Sequence, residues 1–389
     1  MNSSSKKLLM IPGPIEFEPA VLRSTGAPTP SHVAPDFINC FADCLEMMKK
    51  VWLCPSGQPF IIAGTGTLAM EMAGANLTEP GDNALVISTG YFGERFAELL
   101  KRFGAKVTIL SAPPGEVVPT GEIESALKKG NYKLMTFTHV DTSTGVRVDP
   151  KTIGELGKAH DVLTVLDGVC SVGGEELRQE EWGIDVALTA SQKAIGVPPG
   201  LALMVVSQKA VNAWKNRKTP VGSYYCDWNN WLPVMEAYSN KKPSYFGTPP
   251  VNLIMGLDTS LKQILKEGVE NRFARHKKTG EAFRAAMKAL NLKAIPKDSF
   301  HAANTMSAPY FPENIKAEDF MSSMAASDVT VAPGLLPKLK GSYFRVGHMG
   351  AVSKADILST VAAIEAALKE CNHKFEPGTG LIAVTETLD

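Results

Sequence analysis

The sequence predicts an α/β protein whose main lobe is a largely parallel sheet flanked by helices, with a second, smaller lobe behind it. Three observations carry that expectation. From about residue 58, short apolar, β-branched runs alternate with amphipathic stretches. Several of the runs are apolar almost throughout, as strands are when helices cover both faces of a sheet. The chain has 389 residues, more than the roughly 250–300 that one hydrophobic core usually supports.

The strand-like runs come in order as QPFIIAG (58–64), NALVIST (83–89), AKVTIL (105–110), KLMTFTHV (133–140), LTVLDGV (163–169), VALTAS (186–191) and LALMVVS (201–207). Between the second and third, Phe92, Phe96, Leu99, Leu100 and Phe103 fall on one helical stripe that must pack on the sheet. Residues 214–250 then hold Trp214, Tyr224, Tyr225, Trp228, Trp231, Tyr238 and Tyr245 with little periodicity, which reads as a long irregular excursion at a functional site or an interface. Thr248-Pro249-Pro250 reads as an N-cap followed by first-turn proline, with Leu257, Leu261, Ile264 and Leu265 at helical spacing behind it. A Lys/Arg-rich stretch follows from about residue 268. Ile357, Val361, Ile364 and Leu368 mark a closing helix.

Composition narrows the partners. The chain is 44% hydrophobic and 21% charged, with 40 basic residues against 40 acidic ones, a globular profile with no field for nucleic acid or an anionic membrane. Its longest clean apolar runs, such as Leu201 to Val206, are strand-sized, far from the roughly 18 residues of a membrane-spanning helix. The start, MNSSSKKLLM, lacks a secretory pattern and the tail carries no S-K-L address, so cytoplasm is the default, with a mitochondrial or peroxisomal destination left open. Six cysteines without a C-x-x-C pair suggest buried free thiols rather than a disulfide framework or a metal site.

Three features sit at the carboxyl ends of strand-like runs, where open α/β sheets bind ligands. AGTGTLAM (63–70) is a glycine-containing turn into a helix, whose first amides and threonine hydroxyls make a phosphate cradle; alone it could be an ordinary strand-to-helix turn. Asp167 closes a strongly apolar run, where a carboxylate needs a facing cation or donor; alone it could be an N-cap or half of an ion pair. Lys193 lies between two apolar strands, where desolvation lowers an amine's pKa; alone it could be a surface lysine. Together they supply a phosphate cradle, an acid for a pyridinium nitrogen and a lysine for an imine, the protein's share of pyridoxal phosphate chemistry. Nicotinamide binding fits less well because AGTGTLAM lacks the third glycine of G-x-G-x-x-G, and no Walker pattern is present.

Eight ordered segments carry a resemblance to a known family: LLMIPGP (8–14), AGTGTLAMEMAG (63–74), STGYFGERF (88–96), HVDTSTGV (139–146), LDGVCSVGGEE (166–176), ALTASQKAIGVPPG (187–200), SYFGTPP (244–250) and YFRVGHMG (343–350). They resemble the alanine–glyoxylate and serine–pyruvate aminotransferases, class V of the fold-type-I pyridoxal phosphate enzymes. The resemblance implies a large domain with a mostly parallel seven-stranded sheet and a smaller C-terminal α+β domain. It also implies boundaries: an N-terminal arm at 1–20 over the partner subunit and substrate pocket, a cofactor-binding domain at 21–267 and a small domain at 268–389.

The resemblance also assigns roles by position. Lys193 matches the lysine that forms the internal aldimine and then shuttles the substrate proton; Asp167 matches the acid that keeps the pyridinium nitrogen protonated. Gly66, Thr67 and Gln192 match phosphate-side positions, Thr142 a hydroxyl beside the ring, and Phe92 an aromatic stacked on it. Arg345 matches the arginine that grips the substrate α-carboxylate, and Gly13 a backbone position in the substrate pocket. Tyr245 and Thr248 match residues reaching the phosphate in the neighbouring subunit, which implies a homodimer with shared active sites. No metal is implied. His32, His139 and His348 are left unassigned, with His348 read as structural.

The implied reaction is ping-pong transfer of an amino group from a small neutral donor, alanine or serine, to glyoxylate or pyruvate. Small donors follow because no second basic residue is evident for a side-chain carboxylate. A cysteine desulfurase reading fails because residues 227–370 contain no cysteine. A non-catalytic binding protein on the same fold is the alternative from another class.

Overall fold

The computed structural model describes residues 7–389; the first six residues of the expected N-terminal arm lie outside the described residues. The seven strand-like runs form one sheet. Its strands are β1 (Gln58–Gly64), β2 (Asn83–Ser88), β3 (Lys106–Ser111), β4 (Leu134–Thr138), β5 (Leu163–Asp167), β6 (Val186–Ala190) and β7 (Gly200–Val206), in the spatial order β1-β7-β6-β5-β4-β2-β3. Strand β7 runs antiparallel to its neighbours β1 and β6, and every other pair is parallel. Because β1 to β6 share one direction, their carboxyl ends open on the same edge, and all three chemistry-bearing motifs arrive there.

Helices α1 (Gly66–Leu77) and α2 (Tyr91–Arg102) leave β1 and β2 at that edge. The expected stripe of α2 holds: Phe96, Leu99 and Leu100 are buried against the sheet, while Phe92 remains half-buried at the rim. The architecture is the α/β one with a mostly parallel seven-stranded sheet that the resemblance implies.

Buried side chains fall into two large clusters. One surrounds the sheet and ends in helix α3 (Val251–Glu267). The other joins helix α4 (Val269–Ala289), strand β10 (Phe344–Gly347) of a three-stranded antiparallel sheet shared with β8 (Met306–Ser307) and β9 (Ala332–Pro333), and helix α5 (Lys354–Glu370). The N-terminal segment stitches onto the second cluster. Leu8–Leu9 pair in parallel with Val329–Thr330, Met10 is fully buried there, and the Gly347 N–H donates to the Met10 carbonyl.

Three expectations change. The excursion at 214–250 is not irregular throughout: Trp214 ends a helix at Gln208–Lys215, and a second helix spans Trp228–Ser239. Trp228, Trp231, Leu232, Met235 and Tyr238 have helical spacing, but Pro233 inside the helix obscures the pattern. Trp228 stacks on Phe60 at 5.3 Å and Tyr238 on Phe41 at 4.3 Å, so this segment builds core. Second, Thr248 caps nothing. Helix α3 begins only after Pro250, because Thr248 and Pro249 each precede a proline and are pushed out of helical geometry. The basic stretch after residue 268, given no element above, belongs to one 21-residue helix, α4. Finally, α5 carries the expected buried stripe behind a Ser353/Asp356 capping box, yet a further helix at Thr379–Leu388 follows it.

Asn76 ties helix α1 to the aromatic segment. Fully buried in α1, it donates to the Met72 and Cys226 carbonyls at 2.8 and 2.7 Å and accepts from the Trp228 N–H at 2.9 Å. Asn76→Ala strands the Trp228 N–H and the Cys226 carbonyl. It is expected to lower stability by about 2–4 kcal/mol in urea unfolding; a loss below about 0.5 kcal/mol would contradict this account of the segment.

Candidate active site

The carboxyl edge of the sheet encloses a cavity of about 180 Å³ lined by Thr65, Gly66 and Thr67 after β1, Phe92 and Arg95 on α2, and Thr138, Val140 and Thr142 after β4. Asp167, Val169 and Cys170 close it after β5, Gln192 and Lys193 after β6, and Gly13 from the N-terminal segment. Asp167 and Lys193, read as separate features in the sequence, thus face one space.

Each is placed by its neighbours. Asp167 ends β5 with 2% exposure, and its Oδ1 accepts from the Val169 N–H at 3.0 Å. Burial pushes its carboxyl up from 3.8 to about 6; Asp141 adds to the rise, while the Val169 N–H, Lys193 and Arg95 oppose it. Lys193, 8% exposed, donates from Nζ to the Pro12 carbonyl. Burial lowers its pKa and Arg345 pushes the same way, against Cys170 and Asp167. Gly13 has φ +100°, and a Cβ there would lie 2.7 Å from Lys193 Cε and Nζ, so glycine is what lets the segment lie across the lysine.

Asp141 and Ser143 organise the ring side, and the sequence reading missed both. Helix α2 starts at Gly90, which has no side chain to cap it. The Phe92 N–H instead donates to Asp141 Oδ2 at 3.0 Å and the Tyr91 N–H to Ser143 Oγ at 3.0 Å, while Ser143 donates from its N–H and hydroxyl to Asp141 Oδ1. The D-T-S-T-G turn therefore caps a helix remote in sequence and fixes where Phe92 stands. An Asp-x-Ser turn is the only local signal for it.

Arg95, also missed, supplies a cation in the lining. Arg345 stands one layer back: its Nε donates to the Pro333 carbonyl at 2.9 Å and its Nη1 to the Thr142 carbonyl at 3.0 Å. Tyr245, 64% exposed, and exposed Thr248 are not brought to this chain's cavity; the Tyr245 ring lies 5.7 Å from His32. His348 is buried, stacked on Phe283 at 4.5 Å and bonded through Nε2 to Ser307, and burial lowers its pKa to about 3. His139 is likewise buried, with its pKa pushed down to about 3.

The family description "Aminotransferase class-V" matches residues 31–336. The chain belongs to the class-V aminotransferase family. It is 37% identical to alanine–glyoxylate aminotransferase 1 of Saccharomyces cerevisiae, over 90% of this chain and 93% of that protein. It is 33% identical to an L-aspartate–glyoxylate aminotransferase of Paracoccus denitrificans, over 98% and 96%. Among solved structures, pyridoxamine–pyruvate aminotransferase from Mesorhizobium loti superposes with a TM-score of 0.93 at 26% identity, over 100% and 99%.

Class-V aminotransferases depend on pyridoxal phosphate, and the cavity fits that group. Thr65 makes no side-chain cap on α1, so the helix's first amides are open. A Cβ on Gly66 would lie 2.6 Å from Val169 and fill the cradle. Gln192 Oε1 and Thr138 Oγ1, both buried in the lining, have no hydrogen-bond partner among the described residues. Among the described residues no helix is long and apolar enough to cross a membrane.

The raised Asp167 value has a measurable consequence in cofactor-free protein. The folded-state pKa lies above the ordinary 3.8, so the charged carboxylate destabilises the fold. The penalty is absent below the ordinary value, grows as pH rises and is complete above about 6. Asp167→Asn keeps an acceptor for Val169 and removes the charge. It is expected to be more stable than the parent at pH 7.5 by about 3 kcal/mol, an advantage about 1–2 kcal/mol smaller at pH 5. A pH-independent difference in urea unfolding would show that the carboxylate is not desolvated.

Proposed function

We propose that the chain transfers the amino group of a small neutral amino acid, alanine or serine, to glyoxylate in a ping-pong reaction, giving glycine and, from alanine, pyruvate. The observation that carries this reading is the pairing of a buried, pKa-lowered lysine and a buried carboxylate across one cavity, with a guanidinium behind its wall. The two named relatives both use glyoxylate and differ in donor, which supports the acceptor more than the donor.

Pyridoxal phosphate supplies an electron sink for the donor's Cα carbanion and carries the amino group between half-reactions. Lys193 would hold the cofactor and, as a free amine, would take the donor's Cα proton and return it, a task its lowered pKa suits. Asp167, which accepts the Val169 N–H through Oδ1, would offer its other carboxylate oxygen to a pyridinium N–H, whose positive charge would lower the acid's pKa again and keep it ionised. Phe92 offers a π-face for the ring, held in place by Asp141. Arg345 binds the donor's α-carboxylate after exchanging the Thr142 carbonyl for it. Gly13 and the Pro12 carbonyl cover the lysine and exclude water.

The same reading makes the protein a homodimer. Tyr245 and Thr248 would reach the partner's cofactor phosphate, and the exposed Tyr224 and Tyr245 would be covered at the interface; residues 8–15 of the expected arm instead pack on their own chain, against Val329–Thr330 and over Lys193.

Steady-state rates with alanine, serine and aspartate as donors and glyoxylate and pyruvate as acceptors test the reading. Parallel double-reciprocal lines and the highest kcat/KM for alanine or serine with glyoxylate are expected. Lys193→Ala is expected to lose about 10³-fold or more in turnover. Intersecting lines would overturn the ping-pong order, and absence of turnover in the parent with cofactor bound would leave a binding protein.

A further inference from the structure

Arg95 lines the cavity from α2 as a cation with no contact ion pair among the described residues, although its charge is felt by Asp167. Its Nη1 donates to Thr67 Oγ1 and its Nη2 to Tyr91 Oη, both at 3.3 Å, and its guanidinium lies 5.0 Å from the ring centres of Tyr91 and Phe92. Aromatic faces and neutral hydroxyls hold the side chain in place without neutralising it. Its two hydrogen bonds are long for a charged donor, so exchanging them for an anion's oxygens costs little.

The anion is set by where the guanidinium points. Thr67 is the second residue of α1, whose N-terminus has no side-chain cap and faces the same cavity. A helix N-terminus offers roughly half a positive charge, whereas a phosphate monoester near neutral pH carries about −1.5 to −2. The helix alone therefore leaves about one negative charge or more uncompensated, and a guanidinium supplies a full one with planar geometry suited to phosphate oxygens.

We propose that Arg95 is the counter-charge of the cofactor's phosphate, completing a cradle whose other parts are the α1 amides and the Thr67 hydroxyl. The inference rests on the pyridoxal phosphate reading of the cavity. It has a consequence for the donor: with Arg95 engaged by phosphate, the cavity lining keeps no free guanidinium for a side-chain carboxylate, which favours neutral amino acids.

Binding of pyridoxal phosphate and of phosphate-free pyridoxal to cofactor-stripped protein separates the possibilities, read by quenching of intrinsic fluorescence. For Arg95→Gln, affinity for pyridoxal phosphate is expected to fall about 10- to 100-fold while affinity for pyridoxal is unchanged; the unchanged value also shows that the variant folds. Arg95→Lys, which keeps the charge, is expected to recover part of the loss. Equal losses for both ligands would assign Arg95 to ring packing and overturn the proposal. So would an unchanged pyridoxal phosphate affinity accompanied by a raised KM for aspartate, which would give the guanidinium to the donor. If the parent protein binds neither ligand, the functional reading itself fails; if the parent binds and Arg95→Gln binds equally, only the role of Arg95 fails.

Discussion

Desolvation of one amine and one carboxylate lining the same cavity is the constraint the rest of the molecule serves. Among the described residues neither Lys193 nor Asp167 has an ion-pair partner in contact; one donates to the Pro12 carbonyl and the other accepts the Val169 N–H. Burial disfavours the charge on both, which is costly unless a ligand repays it. A cationic ring nitrogen at one end and a carbonyl carbon at the other answer both groups at once. That is why a cavity of unpaired parts belongs in a stable protein, and why the sheet, the glycine at 13 and the turn at 141–143 are arranged around it.

The parallel sheet brings those parts together. Segments separated by over 100 residues meet because β1, β4, β5 and β6 end on one edge. The N-terminal segment then closes the cavity from outside, anchored by Leu8–Leu9 on the second lobe and by the Ile15 N–H on the Gln192 carbonyl. The lysine is thus held between the lobes, and any relative movement of the lobes also moves the cover over the amine.

Much of this was legible in the sequence for a physical reason. A lysine, an acid and a glycine turn at the ends of apolar strands each have a structural reading, and it is the three together that pointed to a function. What stayed hidden has equally physical reasons. Arg95 sits on an amphipathic helix, where a charge ordinarily marks the solvent face. Asp141 acts by capping a helix fifty residues away, which no local pattern reveals beyond its short turn. Pro12 contributes a backbone carbonyl, invisible in residue identity. The helix at Trp228–Ser239 was masked by Pro233, and Thr248 was misread because the double proline that resembles a first turn also keeps the preceding residues extended.

The central claim is that one particular amine faces the cofactor. Borohydride reduction of the purified yellow enzyme, followed by protease digestion and mass spectrometry of the peptides, tests it directly. The account predicts that the phosphopyridoxyl mass is found on the peptide containing Lys193 and nowhere else. A stable label on a different lysine, with Lys193 recovered unmodified, would contradict it.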